Sequence, residues 1–317
     1  MLSYDIVDVF TDRPFAGNQL AVVHGADELG TAQCLALAQE FGFSETTFPS
    51  SAVVDGAEYF TRIFTPGGEI PFAGHPTLGT AWVLRSHGLL SASEVTQVCG
   101  AGRIGVRFLA EVVELAAAPR DQLGPLDDEL VAALLADVGL SRSDLDGDVW
   151  AAGCGLTFVH IPLVEGAVER AVASVRLTRE YAERLGPPGT LLDPFEGLNL
   201  VNITGVAPSL EVHSRVFVPG LSIAEDAATG SAAAGLGIAL VATGRLPAGG
   251  TYEISQGVEM GRPSSLRGCV ETTVVAGHGW NAAETDAAES HVAALCRVGG
   301  QVQHVARGQI AVPPDDR

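Results

Sequence analysis

Two long helical runs in this chain carry no charge, and together they restrict the fold more than any other feature. Residues 76–84, Pro-Thr-Leu-Gly-Thr-Ala-Trp-Val-Leu, and residues 231–241, Ser-Ala-Ala-Ala-Gly-Leu-Gly-Ile-Ala-Leu-Val, are apolar all round. A helix without a polar face is buried on every side, so the fold must wrap each one. Upstream, Arg62-Ile-Phe-Thr-Pro-Gly67 and Arg215-Val-Phe-Val-Pro-Gly220 match without a gap, and the same register lays Ala73-Gly-His-Pro-Thr77 on Asp226-Ala-Ala-Thr-Gly230. Gly88 and Gly244 follow the runs where a left-handed residue closes a helix. The pattern predicts a two-fold internal repeat with one buried helix at the centre of each half. At 317 residues there is enough chain for two cores. The turn-rich, acidic Asp121-Gln-Leu-Gly-Pro125 places the expected boundary between domains 1–118 and 119–317, with the last strand of the chain available to complete the first.

The formal charge of -20 and pI of about 4.6 argue against nucleic acid, whose binders present basic surfaces. Acidity by itself identifies no partner. The five cysteines, 34, 99, 154, 269 and 296, are scattered and form no Cys-x-x-Cys pair, which fits a reducing compartment. With no His-x-x-x-His and no tight acidic cluster, the expectation is no metal and no cofactor. The first residues lack a basic region followed by an apolar core, and no uncharged stretch is long enough to span a bilayer. A cytoplasmic location follows as an expectation.

Alternation predicts strands at 4–10, 20–24, 58–64, 94–98, 105–115, 157–163, 198–204, 210–217, 296–298 and 301–305. Helical spacing predicts 31–41, 127–137 and 168–185. Residues 11–19 and 256–264 read as polar loops. In the second, Met260, Gly261 and Arg262 either close over a ligand or simply link a hairpin. Residues 281–290 read as a surface insertion and the Pro-Pro-Asp-Asp tail as frayed.

Several side chains are candidates for chemistry. Pro76 suits the first position of its helix, which puts His75 beside unpaired N–H groups and the positive end of a dipole, an anion site. Glu45 lies in Ser44-Glu-Thr-Thr-Phe-Pro49 between two phenylalanines. A lone Glu in a polar run is often a solvated residue, but a carboxylate held in apolar surroundings has a raised pKa and can trade protons near neutral pH. Asn18 and Gln19 offer hydrogen bonds to a ligand, or else serve a turn. Cys154, among glycines, reads as a small buried hydrophobe. His213 alternates along a strand and reads as solvated.

These residues resemble a known family. Asp8-Val-Phe-Thr-Asp-Arg-Pro-Phe-Ala-Gly-Asn-Gln19, Ser44-Glu-Thr-Thr-Phe48, Phe72-Ala-Gly-His-Pro-Thr-Leu-Gly-Thr80, Glu225-Asp-Ala-Ala-Thr-Gly-Ser231 and Gln256-Gly-Val-Glu-Met-Gly-Arg-Pro263 look like signatures of the phenazine-biosynthesis PhzF-like family, in order along nearly the whole chain. The resemblance implies an α+β, diaminopimelate epimerase-like fold of two pseudo-symmetric domains, each a curved antiparallel sheet or barrel around a central buried helix. In related epimerases two cysteines at the helix N-termini exchange a proton. Ala73 and Ala227 hold those places here, so that route is closed. The resemblance implies instead a cofactor-independent isomerase acting on a small, cyclic, carboxylate-bearing metabolite. Glu45 would be its single general acid/base, His75 and Asp226 its assisting groups, and Asn18, Gly74, Thr229, Gly230 and Ser231 its substrate-binding positions. It also implies a homodimer. Two other readings compete. One is a small-molecule-binding protein that kept the fold without turnover, disfavoured by the retention of Glu45, His75 and Asp226. The other is a hydrolase using Ser44 or Ser231, neither of which sits in a Gly-x-Ser-x-Gly elbow.

Overall fold

The computed structural model describes residues 1–50, 56–120, 122–173, 180, 185, 192, 195–219, 224–276 and 289–315. The first half runs β1 (Leu2–Val9), β2 (Asn18–Val23), α1 (Thr31–Phe41), β3 (Glu45–Ser50), β4 (Tyr59–Thr65), β5 (Gly68–Ile70), α2 (Gly74–Ser86), β6 (Glu94–Cys99), β7 (Gly102–Leu109) and β8 (Val112–Ala117). The second runs α3 (Asp128–Asp137), β9 (Trp150–Ala152), β10 (Thr157–Pro162), α4 (Ala167–Arg170), β11 (Phe195–Val206), β12 (Ser209–Phe217), β13 (Glu225–Asp226), α5 (Gly230–Ala242), β14 (Gly250–Gln256), β15 (Ser264–Ala276), β16 (Glu289–Gly300) and β17 (Val302–Ile310).

The repeat is explicit in the strand pairing. In the first half β1–β2, β3–β4, β6–β7 and β7–β8 are antiparallel, while β2–β3 and β4–β6 are parallel. In the second half β9–β10, β11–β12, β14–β15 and β15–β16 are antiparallel, while β10–β11 and β12–β14 are parallel. Each half is therefore mostly antiparallel with two parallel steps, and the described strands form one continuous sheet. Each parallel step arises because a helix or a return segment connects the two strands. The halves join where β8 pairs with β16, and β17 pairs with β1, so the last strand lies against the first.

α2 packs on β1, β2 and β8, and α5 on β10, β15 and β16. Both are buried along their length, from His75 to Leu84 except for the half-buried Trp82, and from Ala232 to Val241. Gly88 and Gly244 take φ of 74° and 72°, the left-handed closure expected of them. Burying a Leu or Ile gains about 1.5–3 kcal/mol, so Leu236, Ile238 and Leu240 outweigh the modest helix propensity of α5. Tyr252 of β14 is fully buried, and its hydroxyl donates to Ala233 O of α5 at 2.8 Å. A Cβ at Gly268 on β15 would stand 1.9 Å from the Tyr252 ring. Gly268→Ala is accordingly expected to cost about 1–3 kcal/mol through overpacking, read as a lower denaturation midpoint at unchanged slope. A midpoint equal to wild type would show that the ring moves aside freely.

Several expectations need correction. α2 begins at Gly74, so Pro76 is its third residue, still within the turn whose N–H groups lack helical partners. The motif arginines lie 153 positions apart but the helix starts lie 156 apart, so the gapless register fails before the second helix. Thr229, not Asp226, caps α5. The strand expected at 105–115 is a hairpin turning at Ala110, which takes φ 52° without the Gly or Asn that would announce it. The closing strands extend over Glu289–Gly300 and Val302–Ile310, so 289–290 belong to a strand, and 281–288 lie outside the described residues. Of the helix expected at 168–185, α4 ends at Arg170, and most of the remainder lies outside the described residues. His213 is half-buried and lies between Glu169 and Glu259, at 3.4 and 2.9 Å. Among the described residues no helix is long and apolar enough to cross a membrane.

Candidate active site

The N-termini of α2 and α5 meet. A Cβ on Gly74 would lie 3.8 Å from Gly230 Cα and 3.9 Å from Ser231 N. Beside this junction is a cleft of about 200 Å³ lined by Glu45, Phe72, Ala73, Gly74, His75, Phe158, Glu196, Asp226, Thr229, Gly230 and Ser231, with further apolar neighbours. None of the described residues lining it is Lys or Arg. Positive potential there comes from two thirteen-residue helices aimed at the same point.

Glu45 opens β3, and the parallel register sets it opposite Leu20 of β2. Its carboxyl is buried, and Oε2 has no hydrogen-bond partner. Burial lifts its pKa to about 7, against a smaller lowering by the Ser44 hydroxyl. His75 Nε2 is 3.5 Å from Glu45 Oε2, too long for a strong hydrogen bond. The same nitrogen lies 3.3 Å from Gln19 O, and Nδ1 lies 3.5 Å from Asn18 Nδ2. Acceptors at Nε2 and a donor at Nδ1 assign the proton to Nε2 of a neutral ring. Burial depresses the His75 pKa to about 4, so at neutral pH the imidazole hydrogen-bonds but supplies no charge.

Asp226 is the hub of the second half. It accepts from Asn18 Nδ2 at 2.9 Å and from Thr229 Oγ1 at 2.7 Å. Burial, and then repulsion from Glu45, raise it to about 6 against the pull of His75, Thr229 and Asn18. Gln256 Nε2 donates to Asp226 O and to Thr229 Oγ1, which fixes the turn into α5. Asn18 is the first residue of β2 rather than part of the loop before it, and it also donates to Ala228 O at 3.0 Å. Its position is set from behind. Gly17, at φ 67°, leaves no room for a Cβ, which would fall 2.4 Å from Val9 O. Arg262 donates to Gly17 O and Ala16 O and pairs with Asp8 at 2.5 Å. The 256–264 loop thus links a hairpin, and Arg262 braces the Asn18 loop instead of facing a ligand.

The phenazine biosynthesis-like (PhzC-PhzF) family model matches residues 7–280. The chain belongs to that family. Trans-2,3-dihydro-3-hydroxyanthranilate isomerase of Pseudomonas fluorescens is 34% identical over 268 residues, covering 84% of this chain and 89% of that protein. A PhzF-family phenazine biosynthesis protein of Bacillus anthracis superposes with TM-score 0.78 at 21% identity, over 98% of this chain and 99% of that one. A Pseudomonas aeruginosa protein described as a predicted epimerase gives 0.76 at 27% identity, with the same coverage. This PhzF-like chain is an isomerase with the epimerase-like fold.

The eight PhzF-like positions named from the sequence converge: Glu45, Gly74, His75, Asp226, Thr229, Gly230 and Ser231 line the cleft, and Asn18 ties Asp226 to the first half. Ala73 caps α2, whereas Ala227 lies two residues ahead of the α5 cap. Cys154 does not line the cleft and packs at the edge of the main core. Sequence reasoning missed Glu196, a carboxyl of the cleft wall, because an isolated Glu at the start of a strand carries no motif. It also missed Asp5, His24 and His87, whose ligand atoms lie within 4.8 Å of one another at the far end of α2. His304 Nε2 and Arg307 Nε, each at 2.8 Å, also hold that carboxylate, so the cluster fastens β17 to the first half.

Proposed function

We propose that this chain moves a proton between carbons of a small, cyclic, carboxylate-bearing metabolite without a cofactor, with Glu45 as the general acid/base. The observation that carries the reading is the unpartnered, buried Oε2 of Glu45 in a cleft between two helix N-termini. A carboxylate with a pKa of about 7 is basic enough to take a proton from carbon beside a π system and acidic enough to return it. The N–H groups at the two helix starts would hold the substrate carboxylate and spread the charge that develops. A cleft of about 200 Å³ suits one ring better than a drug-sized ligand, for which sites run to roughly 300–1,000 Å³. The P. fluorescens relative is named for a dihydro-hydroxyanthranilate, and a ring of that kind is the first substrate to test. The functional unit proposed is a cytoplasmic homodimer, measurable by light scattering against the 32.7 kDa chain.

Incubation of candidate cyclic acids in D2O with the enzyme tests the reading. Deuterium at substrate carbon supports it, while binding without exchange would favour a ligand-binding protein. The pH dependence has a fixed sign. Glu45 must be ionised to act as a base, so deuterium exchange at substrate carbon should slow about tenfold per unit as pH drops below about 7 and level off above it. A profile flat from pH 5 to 8 would remove Glu45 from the proton transfer.

A further inference from the structure

We propose that Glu196 is a second proton carrier of the same cleft, giving a proton to substrate carbon from the half of the repeat opposite Glu45. This rests on the reading of Glu45 as the base and adds the return path.

The repeat itself relates the two carboxyls. β3 and β11 are equivalent strands: each receives a parallel partner on one side and an antiparallel one on the other. Phe64 of β4 pairs with Thr46, and its repeat mate Phe217 of β12 pairs with Leu198. Strict symmetry would therefore put Gly197 in the place of Glu45. The β10–β11 register slips between Thr157 and Phe158, at the point where Phe195 gives way to Gly197. Glu196 is the residue left over in that slip. A bulge of this kind re-aims a side chain, and such bulges gather next to active sites. Both carboxyls line the one cleft, at the starts of equivalent strands.

Glu196 makes no hydrogen bond or ion pair among the described residues, whereas Asp226, the third acid of the cleft, is bound by Asn18 and Thr229. Burial, then the charges of Glu45 and Asp226, raise its pKa. In its protonated form it can donate where Glu45, as carboxylate, has accepted.

The step balances. Glu45 takes H⁺ from one substrate carbon, and the C–H electron pair enters the conjugated system. That pair forms the new C–H bond with the proton of Glu196, leaving Glu45 protonated and Glu196 ionised, and solvent resets both. Two carriers from different halves of the repeat would also permit delivery to the other face of the ring.

The test separates exchange from conversion. In Glu196→Gln, Glu45 still removes and restores a proton, so wash-in of deuterium at the abstracted carbon should stay within about threefold of wild type. Net isomer formation should fall about 10²-fold or more. Glu196→Asp, which keeps a proton donor at shorter reach, should recover part of the conversion. Wild-type conversion by Glu196→Gln would overturn the proposal. So would a parallel fall in exchange and conversion with a raised KM, the mark of a group that only binds substrate. Failure of the Glu45 reading looks different: Glu45→Gln would then keep wild-type exchange.

Discussion

Glu45→Gln is expected to lower deuterium uptake at substrate carbon by about 10²–10⁴-fold, the usual contribution of a positioned acid–base group, while substrate affinity changes little. The substitution keeps the shape and one acceptor oxygen, and the helix N-termini and Ser231 still line the cleft. Loss of fold can be told from loss of chemistry by the sign of the stability change. In the folded chain the Glu45 pKa is raised from 4.5 to about 7, so ionising it costs stability as pH rises across that window. Gln never ionises. The variant should therefore match or exceed wild-type stability at pH 8, by up to on the order of 3 kcal/mol for a shift of this size. A variant that is stable yet exchanges at the wild-type rate would assign the base elsewhere, with Asp226 as the next candidate. Glu45→Asp should be nearly as poor as Gln, because withdrawing the oxygen by about a bond length spoils an aligned attack.

Some of this site was legible in the sequence and some was not, for physical reasons. The two uncharged runs could only be buried helices, and α2 and α5 are that. Glu45 between aromatic residues indicated a carboxyl out of water, and it is buried. What failed was register. A gapless match assumes equal connections, but the stretch from Arg215 to the start of α5 is three residues longer than that from Arg62 to the start of α2. Arg262 illustrates a second limit. In a glycine-rich loop it suggested either a ligand contact or a hairpin link, and its partners Asp8, Ala16 and Gly17 lie some 250 positions away and could be found only by folding. Glu196 was hidden for the same reason, since only the β10–β11 slip marks it.

The repeat supplies a paired experiment on stability, and its larger member is Arg215. Arg215 and Arg62 share two contacts in the two halves. Each guanidinium grips a carboxylate through two nitrogens, Glu225 at 2.8 and 2.8 Å and Glu69 at 2.8 and 2.6 Å. Each lies over a phenylalanine, Phe217 or Phe64, at 5.0 or 4.9 Å. Burial separates them: the Arg215 and Glu225 side chains are 9% and 12% exposed, against 24% and 38% for Arg62 and Glu69. Arg215 also donates to Ala171 O at 2.6 Å, so its removal strands a carbonyl as well as a carboxylate. Breaking a buried pair from one side costs about 3–5 kcal/mol, whereas an exposed pair is worth about 0.2–1 kcal/mol. Arg215→Met should therefore lower the denaturation midpoint several times more than Arg62→Met. Arg215→Met with Glu225→Met should regain much of the loss, because no charge is then left buried. Activity should follow the same order, since Glu225 and Asp226 form β13 and pair with Phe217 and Val216 next to Arg215. Equal midpoints for Arg215→Met and Arg62→Met would show that burial does not set the strength of this repeated pair.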